Sequence, residues 1–213
     1  MRTMTAKTKR RISILLLEAA IIAEFFGLFI AILTEEQPYL FFTNMGNACY
    51  LLLAIAVLCL QVGALKTGKE FPRLVFVLHY IGTATETLIF LIVALYLVWF
   101  SGPMMLYSGS FPFLHVLCPL LAVANHCFFI GEPEFKKTDA LFGAIPPLLY
   151  ATIIIPLCAT GLIEAPYPFL EFGANPWWLT LLYGIGSILV MALICFLLLH
   201  FAKKTQNLTE KRK

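Results

Sequence analysis

Residues 74–100 read LVFVLHYIGTATETLIFLIVALYLVWF, 27 residues with no Lys, Arg or Asp and a single Glu, Glu86. As an α-helix this run is about 40 Å long, more than a bilayer core of about 30 Å requires. It is preceded by KTGKEFPR (66–73) and followed by SGPMMLYSGSFP (101–112), so cationic charge stops where the apolar run begins. The solvent of such a segment is lipid, and a helix satisfies its backbone polar groups there without outside partners.

Outward from this run the same pattern recurs, giving six expected spans at 12–34, 44–65, 74–100, 113–131, 140–162 and 177–201. The remaining connections are short: EEQPYLFFT (35–43), EPEFKKTD (132–139) and EAPYPFLEFGANP (164–176). Over 213 residues the chain is 61% hydrophobic and 13% charged, where a soluble domain carries about 25% charged residues. The expected fold class is all-α, a polytopic membrane protein forming one six-helix transmembrane domain over residues 1–213.

The net charge of +3 does not point to nucleic acid, because its placement follows topology. All fifteen Lys and Arg fall on one side: five in the N-terminal segment, three in 66–73, two in 132–139 and five after Phe201. Cationic residues resist translocation, so both termini and the second and fourth loops are expected in the cytoplasm. The short loops favour a bacterial inner membrane. Arg10 and Arg11 lead into an apolar run as in a secretory signal, but that run continues through Leu33 and carries Glu18 and Glu24, so it reads as a retained first span. Tyr39, Phe41, Phe42, Trp99, Tyr107, Tyr167, Trp177 and Trp178 gather at the expected external interface as anchors. The six cysteines lie inside apolar runs with no CxxC pair and read as small core residues. No metal or cofactor is expected.

An ionisable group inside a span costs on the order of 3 kcal/mol and needs a reason. The set is Glu18, Glu24, His79, Glu86, His115, Asn125 and His126. His79, Thr83 and Glu86 share one helical face, as do His115, Pro119, Ala122 and His126, and both faces are expected to look into the bundle. The plainest explanation is mutual pairing that holds the helices together. Two functional explanations compete with it: a proton relay of Glu24, Glu86 and His79 in a transporter or channel, and a haem held between His79 and His126. No span holds an interior Lys for a retinal Schiff base.

At the outer end, FFTNMGN (41–47) opens the second span. Thr43 there is either the N-cap of that helix or a nucleophile whose proton His115, in the same leaflet, removes. In the second case Asn44 or Asn47 orients a group or donates to the oxyanion; no third acid is obvious beside them, though Glu164 or Glu171 from the last external loop could reach.

Three motifs, FFTNMGN, FLHVLCP (113–119) and YPFLEF (167–172), resemble those of the androgen-induced and androgen-dependent membrane hydrolase family and the bacterial membrane proteins grouped with it. The likeness covers nearly the whole chain in span count, order and termini. It implies an intramembrane threonine hydrolase acting on fatty acid esters of hydroxy fatty acids or similar acyl lipids, with Thr43 as nucleophile and His115 as base. Glu24, Glu86 and His79 would be supporting groups, membrane lipids the surroundings and an acyl lipid the substrate. The interval from His115 to Pro119 is one residue shorter than in the animal members, and the residues around His115 are more apolar. Tyr167 to Leu170 matches a family motif that implies interface structure rather than chemistry.

Overall fold

A computed structural model describes residues 5–34, 45–130, 137–172 and 175–210. Helix α1 runs Ala6–Thr34, α2 Met45–Lys66 and α3 Arg73–Ile92, the last continuing through a wide turn Val93–Leu97 to Ser101. Helix α4, Cys118–Phe128, is entered through the wide turns of Pro112–Leu117; α5, Ile145–Ala159, is entered through a tight segment Lys137–Ala144; α6 is Trp177–Glu210. There is no strand among the described residues. The expected all-α polytopic fold is what forms. Among the described residues five helices are long and apolar enough to cross a membrane, and a further apolar one, Pro112–Phe128, is shorter.

Several expected boundaries move. Helix α1 begins at Ala6, ahead of the apolar run that was expected to open at residue 12, and α6 continues to Glu210, past residue 201. Lys, Glu and Gln are good helix formers, so a helix propagates beyond the point where lipid stops requiring it. The fourth run ends at Phe128 rather than 131, and the fifth holds regular α geometry only from Ile145, where Pro146 and Pro147 occupy its first turn.

Helices α1 to α4 make the closest-packed part of the bundle, with α1 against α2 and α4, and α3 against α2 and α4. Glycines set how near the helices come. A Cβ on Gly27 of α1 would lie 2.6 Å from Leu114, and one on Gly82 of α3 would lie 3.0 Å from the Tyr50 ring of α2. Helix α6 packs on α4 and α3, while α5 touches α2 and α3 only lightly and exposes most of its surface. The gap this leaves between α2, α3, α5 and α6 becomes a cavity.

The end that carries Arg10, Lys69 and Arg73 is tied by ion pairs. Arg73 donates two hydrogen bonds to the buried carboxylate of Asp139, at 2.7 and 2.8 Å, and Arg10 meets Glu70 at 3.2 Å. Next to it lie buried amide contacts: Asn125 donates to the Ser13 carbonyl at 3.0 Å, and Gln61 donates to the Ser13 hydroxyl at 3.3 Å. Asn125 is thus bonded across the bundle, to a backbone carbonyl of α1 rather than to another of the polar side chains. Trp99, Tyr107, Trp177 and Trp178 are exposed at the opposite end. Tyr167 departs from the expected anchors by packing inward.

Candidate functional site

Two places in the described structure hold chemistry. The first is a polar cluster inside the bundle. Glu24 of α1 and Glu86 of α3 are both 0% exposed, and one ligand atom from each lies within 4.8 Å of the other and of the Cys118 sulfur of α4. Asn47 stands against Glu24, and Tyr50 against Cys118 and both carboxylates. The sequence pattern foresaw that the Glu86 face turns inward. It did not foresee Tyr50 or Cys118, whose only signals were the spacing of Tyr50 three residues after Asn47 and of Cys118 three after His115.

His79 belongs elsewhere. It lies seven residues, two helical turns, from Glu86 on α3, and its Nδ1 is bonded to the Thr83 hydroxyl at 3.1 Å. Its ring lies nearly parallel to that of His126, with centroids 5.7 Å apart, and the Tyr80 ring packs on His126 at 5.7 Å. Two imidazoles packed in this way with a tyrosine against them leave no room for a macrocycle between them, so these residues do not fit a haem. Glu18 is half-buried and takes no part in the cluster.

His115 sits in the wide turns before Pro119. Proline has no N–H to give to the carbonyl four residues back, which here is that of His115, and the segment opens until the Cys118 N–H bonds to Phe113, five residues back. The ring is buried against Phe111, with centroids 4.9 Å apart, and Nδ1 has no hydrogen-bond partner. Thr43 and Asn44 lie outside the described residues.

The second place is the cavity, about 540 Å³ in volume. Its wall begins at Met45, Gly46 and Cys49 in the first turn of α2 and is completed by α3, α5, α6 and the loop before α6. It is almost wholly apolar. The hydroxyls of Thr85 and Thr180 in the wall are spent on the carbonyls of Ile81 and Phe169. The exception is Tyr150 of α5, whose buried hydroxyl has no partner. Tyr167 packs on Tyr150 edge-on and stacks on Phe169 at 5.2 Å. Desolvation pushes the Tyr167 phenol up to about 12, so at physiological pH it is a neutral hydrogen-bond donor.

Comparison with protein-family models, curated proteins and solved structures finds no match to this chain. The site therefore has to be read from its own geometry. The structure brings Glu24, Glu86 and Asn47 together, keeps His79 apart with His126, and leaves His115 out of the cavity wall. Glu164 and Glu171 are exposed in the loop before α6 and do not line the cavity.

Proposed function

We propose that this chain is an intramembrane hydrolase of acyl-lipid esters, with Thr43 as nucleophile and His115 as its base, in a bacterial inner membrane with both termini in the cytoplasm. The observation that carries this reading is the 540 Å³ apolar cavity whose wall includes Met45, two residues after Thr43. Its size falls among pockets of about 300–1,000 Å³ that enclose one small ligand. An acyl chain gains little hydrophobic free energy by leaving lipid for another apolar place. Selection then rests on shape and on a few polar groups, and the unpartnered Tyr150 hydroxyl is such a group.

Asn47 follows Thr43 by four residues. The Asn47 amide nitrogen is buried without a partner and is available to an oxyanion. In the reaction Thr43 attacks the ester carbonyl while an imidazole nitrogen of His115 takes its proton. The C–O bond of the alcohol then breaks, His115 returns the proton to the leaving oxygen, and water releases the acid from Thr43 by the same steps. A fatty acid ester of a hydroxy fatty acid is the substrate class in view.

The test is labelling of purified, detergent-solubilised protein with a fluorophosphonate, comparing wild type, Thr43→Ala and His115→Ala. Labelling of wild type that disappears in both variants is expected. A folded wild type that takes no label, or a Thr43→Ala protein that labels fully, would remove this mechanism.

A further inference from the structure

The cluster inside the bundle gathers donor atoms and holds no cationic side chain. Glu24, Glu86 and Cys118 each present one ligand atom within 4.8 Å of the others. All four carboxylate oxygens are buried without a hydrogen-bond partner. The Cys118 thiol donates a long hydrogen bond, 3.7 Å, to the Ala20 carbonyl. Beside them the Tyr50 hydroxyl, on a side chain 3% exposed, is also unpartnered. Every Lys and Arg of the chain lies outside the apolar runs, so no side-chain cation neutralises the pair.

An unpaired carboxylate in a dry interior is too costly to persist, and two side by side are worse. Only protons or a bound cation can settle the charge. Two carboxyls sharing a proton close to an O···O contact of about 2.5–2.7 Å. Glu24 and Glu86 do not hydrogen-bond to each other; they stand around a common point instead. A metal with bonds of about 2.0–2.3 Å holds its ligand atoms roughly 3.3–3.8 Å apart, a modest closure from the spacing present. The sulfur narrows the metal, because thiolate ligands favour zinc-type ions over magnesium or calcium.

We propose that Glu24, Glu86 and Cys118 form a binding site for a divalent transition-metal ion of the zinc class. The Tyr50 hydroxyl beside them donates a hydrogen bond to a ligand oxygen or to the sulfur. Binding releases the thiol proton of Cys118 and any carboxyl proton to water, leaving one net negative charge among these donors. The site ties α1, α3 and α4 at mid-bundle. It stands independently of the Thr43 reading.

The experiment uses the full chain purified in detergent without chelator, with its metal content measured, followed by exchange for cobalt. About one zinc per chain is expected, together with the visible bands of four-coordinate cobalt and a thiolate-to-cobalt charge-transfer band. Cys118→Ser should lose the charge-transfer band, and Glu24→Gln with Glu86→Gln should retain helicity while binding at least about tenfold less metal. Cys195→Ser, at a buried thiol outside the cluster, and Thr43→Ala should bind as wild type does. A folded wild type that takes up neither zinc nor cobalt, or a Cys118→Ser protein with the band intact, would overturn the site and leave protons as the neutralising charge. Because Thr43→Ala keeps the metal, loss of esterase labelling and loss of the site are read separately.

Discussion

At the scale of single residues, what distinguishes the interior is which polar atoms have been given partners. Asn125 and Gln61 are bonded to Ser13 and tie neighbouring helices together, while Thr83 is bonded to His79 on its own helix. The carboxylates of Glu24 and Glu86, His115 Nδ1 and the Tyr150 hydroxyl are buried and unbonded, the condition in which a group is costly to the fold and available to a ligand. In the proposed reaction, Thr43→Ala should lower ester hydrolysis by roughly 10³-fold or more and His115→Ala by about 10²–10⁴-fold, measured as initial rates on a chromogenic acyl ester. Tyr150→Phe removes a hydroxyl that has no partner within the protein and little volume. It should lower kcat/KM for a branched acyl ester by about tenfold with helicity unchanged, and equal rates would take Tyr150 out of substrate recognition.

At the scale of the helix, two features set where His115 stands. Pro119 denies it a regular turn, and Gly27 lets α1 approach Leu114, which is fully buried and adjacent to it. Restoring the N–H with Pro119→Ala allows the wide turn to tighten and turns the imidazole away from its place. Fluorophosphonate labelling should fall by about 10²-fold while the circular dichroism stays that of wild type. Gly27→Val puts carbon where Leu114 already is. The cost should be about 1–3 kcal/mol, read as a lower unfolding temperature in detergent. An unchanged temperature would mean that the α1–α4 contact yields more easily than its spacing indicates.

At the scale of the whole molecule, the bundle is tight where α1 to α4 meet and loose where α5 stands off, and the cavity is the consequence. The Arg73–Asp139 pair holds the segment before α5 at one end. The charge pattern makes a prediction of its own. Green fluorescent protein fused after Lys213 should fluoresce, and alkaline phosphatase inserted between Ser108 and Gly109 should be active. The reverse result would invert the proposed orientation.

The sequence by itself determined the fold class and most of the spans, because 61% hydrophobic residues in runs of this length admit only helices in lipid. It also determined which faces turn inward: His79, Thr83 and Glu86 are all buried, as their spacing requires. Helical period, however, relates residues within one helix and says nothing about which helix lies opposite. Only the tertiary structure decided that Glu24 meets Glu86 and Cys118, that His79 pairs with His126, and that Tyr150 faces a cavity. Those contacts join residues as far as 94 positions apart, Glu24 to Cys118. They depend on glycine-controlled approach of helices, which no local pattern encodes.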